Sequence, residues 1–230
     1  MLKIMRVFAE EPWRRPDIVN SFAHAAPNPQ LIDYARQRQR RHRGQLRVAD
    51  IGCGAGRNAV PLTEAGCDVI GLDRSRPMLA AAAARHAHGA LRLIEAAMHD
   101  LPLQDRSIDL IVAHGVWNLA RSDQEFREAV AEAGRVAAEG AAAFVFTFSR
   151  HTLPVTAAPI EGESVAFTDF SGAPQIFLTL DQLLQEMYAV GFEPDPEFLF
   201  RELNLPPAGQ ARLGGAPVIF EAAFRFRGKQ

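Results

Sequence analysis

Residues 48–56 read VADIGCGAG: a β-branched run, an acid, then glycine at every second position. No other segment constrains the fold as tightly. Val48 to Ile51 suit a buried strand. Gly52, Gly54 and Gly56 let the backbone turn sharply and approach a ligand that a Cβ would exclude. Arg57 to Glu64 reads as a helix, so the loop presents a helix N-terminus to that ligand. One helix later, CDVIGLD (67–73) gives a second apolar strand ending in Asp73. An acid about 20 residues past a glycine loop is placed to accept hydrogen bonds from ribose hydroxyls. The unit implies a nucleoside-like cofactor.

A dinucleotide fingerprint is GxGxxG, with its last glycine three residues after the second. Here the spacing is two, and Asp50 precedes the loop. Asp50-x-Gly52-x-Gly54-x-Gly56 resembles motif I of the class I S-adenosylmethionine-dependent methyltransferases. Asp73 matches that family's ribose-binding acid, and AAMHDLPLQDRSIDLIVAHGVWNL (96–119) resembles its third and fourth motifs. LTLDQLLQEMYAVGF (178–192) is similar to its late helix and strand. The resemblance is good over 46–148 and loose over 178–226, and is closest to the small-molecule branch of ubiquinone-biosynthesis-type and tellurite-resistance-type enzymes. It implies S-adenosyl-L-methionine as cofactor. The matching positions for holding it are Asp50, Gly52, Cys53, Gly54, Gly56, Asn58, Asp73, Arg74, Met78, Ala97, Met98 and His114. One position departs: the family usually has an acid at Ala97, receiving the adenine amino group. That contact then falls to Asp100 or His99, or is absent.

The remaining chain alternates strand and helix. Asn28-Pro29 reads as N-cap and first helical position, opening a helix that stops at Gly44. Ser75 caps a helix ending near Gly89. Leu91–Glu95, Ile108–Ala113 and Ala142–Phe148 read as strands. Ser122-x-x-Glu125 and Thr179-x-x-Gln182 are capping boxes, the first opening a helix that Gly140 stops. Glu197–Leu203 and Val218–Phe226 read as the last two strands. The predicted fold is α/β: a Rossmann-like, doubly wound, mostly parallel seven-stranded sheet with helices on both faces. By resemblance its last strand is antiparallel. The domain expectation is one methyltransferase-like unit over 1–230. It comprises a helical cap (1–45), a cofactor-binding core (46–148), a lid insertion (149–178) and a C-terminal helix with strands (179–230).

Composition narrows the function further. The chain has 230 residues and a net charge of −2, which offers no general field for nucleic acid or anionic membrane. Two cysteines, Cys53 and Cys67, suggest neither a zinc site nor a disulfide framework; Cys53 reads as a small loop residue or a nucleophile. Arg36, Arg38, Arg40, Arg41 and Arg43 suit a solvated helix end or a nucleic-acid patch. The first residues lack a signal-peptide core and no run approaches 18 apolar residues, so the expectation is a soluble cytoplasmic protein, monomer or homodimer.

Methyl transfer from a sulfonium needs alignment, desolvation and sometimes a base. His114 is the candidate base, or else a backbone contact with a packed ring. Trp117 and Asn118 follow on the same loop and are candidates to line the acceptor pocket, with Trp117 also reading as core. Arg150 is a candidate carboxylate or phosphate clamp, or a surface ion pair. HGVW stands where amino-methylating DNA enzymes carry Asn-Pro-Pro-Tyr-like segments, and no Pro-Cys nucleophile or magnesium-type acidic cluster occurs. A small-molecule methyl acceptor fits best, without nucleic acid, membrane or metal. The competing readings are a non-catalytic cofactor-binding or partner module and an aminopropyl transferase.

Overall fold

The computed structural model describes residues 12–86, 91–206 and 215–228. The reading of a helix end at Gly89 lies outside them. The sheet forms from β1 (Arg47–Ile51), β2 (Asp68–Asp73), β3 (Arg92–Glu95), β4 (Ile108–His114), β5 (Ala137–Phe148), β8 (Phe192–Pro194), β9 (Arg201–Leu203) and β10 (Ile219–Phe226). Its order is β3-β2-β1-β4-β5-β10-β8, with β9 also on β10. β1 to β5 pair in parallel, and β10 runs antiparallel to β5, β8 and β9. The doubly wound expectation holds.

Two strand readings need correction. Of the strand expected over 197–203 only Arg201–Leu203 forms, and a separate short strand, Phe192–Pro194, precedes that span; both pair with β10. Pro194 has no N–H to give a ladder, which suits it to an edge strand. Gly140 does not stop the preceding helix either. That helix, α5 (Asp123–Val136), ends sooner, and the chain enters β5 at Ala137, where pairing with Ile108 overrides the local signal.

Helices cover the two faces unequally. α2 (Pro29–Arg41) is capped by Asn28, whose Oδ1 accepts from the N–H groups of Gln30 and Leu31 at 2.9 and 3.2 Å. It buries Leu31, Ile32, Tyr34 and Ala35. With α3 (Ala59–Glu64) it packs on Val48, Leu110, Val112 and Phe144. α5 and α6 (Leu180–Ala189) cover the other face, where Phe126, Ala129, Val130 and Ala133 repeat at helical spacing onto Ile111, Ala143 and Val145. Each large buried side chain of this kind contributes about 1.5–3 kcal/mol. Thr179 and Gln182 form the complete capping box of α6. At α5 only half forms: Ser122 Oγ accepts from Glu125 N–H, while the Glu125 carboxylate reaches Arg121 N–H instead.

The segment expected to form a lid, 149–178, carries a small hairpin, β6 (Ala166–Phe167) with β7 (Gln175–Ile176). Val165, Ala166, Ile176 and Leu178 are buried in the α5-side core. Asp123 fastens it, accepting from Val165 N–H at 3.0 Å and from both N–H and O–H of Ser164. The N-terminal segment includes α1 (Pro16–His24), which packs on α4 (Arg76–Arg85). Ser75 Oγ donates to the Trp13 carbonyl at 2.7 Å, and Arg85 donates to the Ala23 carbonyl at 2.9 Å. Among the described residues no helix is long and apolar enough to cross a membrane.

Candidate active site

Strand alternation places the polar residues of the site on one face. Asp50 pairs in register with Gly71 on one side and Val112 on the other. Asp73 and His114 lie two residues beyond those partners, so all three point to the α2–α3 side. The same row continues across the sheet from His114 to Phe146, Glu221 and Arg201. All sit at or near the carboxyl ends of the parallel strands, where ligands bind in open α/β sheets.

The glycine loop is shaped for close approach. Gly52, Gly54 and Gly56 all have positive φ. A Cβ on Gly56 would press on Ala82 Cβ at 3.1 Å and Val60 Cγ2 at 3.3 Å, so that glycine lets α4 seat against the loop. A Cβ on Gly54 would meet only Met78 Sδ, at 4.0 Å, leaving the backbone there open. Asp73 braces the loop: Oδ2 accepts from Gly54 N–H and Oδ1 from Ser75 N–H, both at 2.8 Å. Burial raises its pKa against those two bonds. Each carboxylate oxygen keeps a lone pair for a further donor.

Asp50 lies beneath the loop with 1% of its surface exposed. Burial pushes its pKa up to about 7, with Arg57 opposing and Asp73 adding to the rise. Its Oδ2 has no hydrogen-bond partner among the described residues. A buried carboxylate oxygen without a donor costs about 1–3 kcal/mol, which fits a site completed by a cationic ligand group. Cys53 is buried under Gly71, where a Cβ would meet Cys53 Sγ at 2.9 Å. Burial raises its thiol pKa well above the usual value, which removes the nucleophile reading.

His114 stacks on Phe146 with ring centroids 4.1 Å apart and planes 10° from parallel. Arg57 Nη2 donates to its Nδ1 at 2.8 Å, and Asn28 Nδ2 faces its Nε2 at 3.1 Å. Burial, and after it the Arg57 charge, push the His114 pKa down to about 3. That environment counts against the general base expected from the sequence. Asn28 also donates to Glu221 Oε2 at 2.6 Å, and Arg201 donates to Glu221 Oε1.

A second part of the site opens at the ends of β2 and β3. A cleft of about 520 Å³ is lined by Arg14, Arg74, Glu95, Ala97, Asp100 and Pro102. Asp100 therefore stands in the cleft beside Ala97, while His99 Nδ1 lies 3.7 Å from the Glu125 carboxylate. Arg135 holds this loop from below, donating to the carbonyls of Leu101 and Leu103 and to the Glu132 and Asp105 carboxylates. Met78 and Met98 are buried beside the loop and cleft.

The other candidates are placed differently. Asn58 is buried, and its Oδ1 accepts from Asn28 N–H at 3.0 Å, tying the N-terminal segment to α3. Trp117 is core, edge-on to Phe126; Asn118 is buried beside it. Arg150 does not clamp an acceptor: it donates to the carbonyls of Leu153, Pro154 and Ala157 and lies over the Phe167 ring. Sequence reasoning missed Arg57, Asn28, Glu221, Glu95 and Arg14 as site residues. Arg57 follows directly on the last glycine of the loop, which was its one local signal.

The family profile described as a methyltransferase domain matches residues 48–140. The match begins in β1 and takes in the glycine loop, Asp73, His114 and the cleft residues from Arg74 to Pro102, but not Arg14. Among curated proteins nothing matches the sequence significantly. Solved structures share the fold. An S-adenosylmethionine-dependent methyltransferase from Mesorhizobium loti is 20% identical over 79% of this chain and 91% of its own, with a TM-score of 0.63. The [4+2]-cyclase SpnF is 20% identical over 83% and 73%, TM-score 0.62. A 1,6-didemethyltoxoflavin-N1-methyltransferase from Burkholderia thailandensis, solved with that substrate and S-adenosylhomocysteine, is 16% identical over 85% and 77%, TM-score 0.60. The cyclase shows that this methyltransferase-like fold also hosts other chemistry, so function has to be argued from the site.

Proposed function

We propose that the protein is an S-adenosylmethionine-dependent methyltransferase acting on a small-molecule acceptor. The observation that carries the reading is the pair of acids around the glycine loop, Asp50 buried and Asp73 half-buried. Asp73 braces Gly54 and keeps lone pairs for ribose hydroxyls; Asp50 offers a buried oxygen without a donor to the cofactor's ammonium. A dinucleotide would need its pyrophosphate against these carboxylates, and like charges there are unfavourable.

The cofactor, when bound, supplies an electrophilic methyl group on a sulfonium. The chain's own residues then have three tasks. Gly52–Gly56 bring the backbone close to the amino-acid end. Asp73 fixes the ribose, and the Ala97–Asp100 cleft receives the adenine. Backbone groups at Ala97 and Met98 meet the ring, and Asp100 supplies the acid that position 97 lacks. His114, Phe146 and Asn28 form the wall towards the acceptor. Alignment of this kind can supply about 7–11 kcal/mol of the barrier, enough for a thiolate, phenolate or amine nucleophile without a protein base.

The similar 1,6-didemethyltoxoflavin-N1-methyltransferase, solved with bound 1,6-didemethyltoxoflavin, supports a small acceptor here. The test is a screen of thiols, small carboxylates and phenols with the methyl-labelled cofactor. Label should move to an acceptor with equimolar formation of S-adenosylhomocysteine. Binding of S-adenosylhomocysteine with no transfer to any acceptor would favour the non-catalytic module; preference for the decarboxylated cofactor would favour aminopropyl transfer.

A further inference from the structure

Half-buried aromatic side chains continue the wall that starts at His114. His114 pairs in register with Phe146, and Phe148 lies two residues on along β5, so all three share the α2 side of the sheet. β4 ends at His114, and residues 176–178 take its place on that edge of β5. Leu178 N–H donates to the Phe148 carbonyl at 3.1 Å, and Arg150 N–H donates to the Leu178 carbonyl at 2.7 Å. That seating sets the Phe177 ring against Phe148, with centroids 5.3 Å apart and planes 28° from parallel. Phe170, in the loop joining β6 and β7, stands edge-on to Phe148 at 5.5 Å with 37% of its surface exposed.

Depth divides these rings into two sets. Phe167 and Phe177 are buried and form the hairpin's own small core with Leu153. Phe146, Phe148 and Phe170 keep exposed surface. Two charged groups at the same strand ends are already engaged. Arg150 gives donors to three carbonyls and lies 4.9 Å from the Phe167 ring centre. Glu221 accepts from Asn28 at one oxygen and from Arg201 at the other. A charged ligand body would have to break those contacts to be paired here. An aromatic face instead gains stacking at centroid separations of about 4.5–7 Å.

We propose that Phe146, Phe148 and Phe170 form the acceptor-binding surface, and that the acceptor is an uncharged, flat, multi-ring aromatic compound with its reacting group at the His114 end. This rests on the methyltransferase reading above and narrows its acceptor class. The length follows from the path: about 7 Å from Phe146 to Phe148 along β5, then 5.5 Å to Phe170, more than a single ring spans. The occupant follows from continuity, because the row begins at His114 on the wall of the cofactor site and ends at an exposed rim.

Calorimetry with 2-naphthol, phenol and 2-naphthoate tests the row, first on protein loaded with S-adenosylhomocysteine and then on unloaded protein. 2-Naphthol should bind wild type about tenfold or more tightly than phenol, which covers the span of one ring only. It should also bind about tenfold or more tightly than 2-naphthoate, whose charge finds no partner there. Phe148→Ala and Phe170→Ser should each weaken 2-naphthol about fivefold and leave S-adenosylhomocysteine within about twofold, whereas Phe148→Trp should keep 2-naphthol binding. Phe170 sits at the exposed rim, so its variant carries the test if Phe148→Ala does not fold. Equal 2-naphthol affinity in wild type and the folded variants, no 2-naphthol binding, or a preference for 2-naphthoate would overturn the proposal. So would loss of 2-naphthol binding as the protein dimerises at high concentration, which would give the row to a second copy of the chain. If unloaded wild type binds 2-naphthol through Phe148 and Phe170 but does not bind S-adenosylhomocysteine, the cofactor reading fails and the aromatic surface stands.

Discussion

Asp50→Asn should make the protein's stability less sensitive to pH, at the expense of ligand binding. The carboxyl is fully buried, and its pKa is pushed up from 3.8 to about 7. Below 3.8 the group is protonated in both the folded and unfolded chains and contributes nothing. As pH rises towards 7 the unfolded chain ionises while the folded one stays protonated, so stability falls, and above about 7 the penalty is constant. At about 1.4 kcal/mol per pH unit the full penalty is about 4 kcal/mol, of which about 2–3 kcal/mol builds up between pH 5 and 8. Asparagine cannot ionise, and its unpartnered amide adds a cost that does not vary with pH. The stability difference between variant and wild type, from urea unfolding at pH 5, 6, 7 and 8, should therefore rise in the variant's favour by about 2–3 kcal/mol across that range. Saturating S-adenosylhomocysteine should flatten the wild-type slope by supplying a cation to Asp50. A difference that stays constant from pH 5 to 8 would refute the buried, proton-retaining Asp50.

Other substitutions test the frame around the site. Asp123→Ala removes the carboxylate that accepts from Ser164 and Val165; it should cost about 2–4 kcal/mol and speed hydrogen exchange selectively over 160–178. Burial raises the Asp123 pKa, but those bonds outweigh it and hold it below 3.8, so its contribution is full above 3.8 and lost as pH falls through the lower folded value; the Asp123→Ala deficit should shrink in urea melts taken at acid pH. Gly71→Ala would drive a methyl to 2.9 Å from both Cys53 Sγ and Leu93 Cδ2, costing about 1–3 kcal/mol of stability, read as a lowered Tm.

The cofactor half was legible because its signals are local. Glycine spacing, a β-branched strand and the acid ending β2 all lie within residues 48–73, and the caps at Asn28, Ser75 and Thr179 need only their own next turn. What escaped depends on distant partners. Arg57 reads as the opening of a helix until the fold brings His114 against it. Asn28 is legible as a cap, but its second task rests on Glu221, 193 residues away. Phe192–Pro194 has no strand pattern of its own and becomes a strand by pairing with β10. Arg150 reads as a carboxylate or phosphate clamp or a surface ion pair at a strand end; three carbonyls of its own loop take its donors instead.

The central claim is that Asp73 and the glycine loop hold the nucleoside of S-adenosylmethionine. Calorimetric titration of S-adenosylhomocysteine into wild type and Asp73→Ala tests it most directly. The account predicts saturable one-to-one binding to wild type and at least tenfold weaker binding to the folded variant, about 1.4 kcal/mol or more. Equal affinity in both proteins would contradict it, as would no binding to wild type.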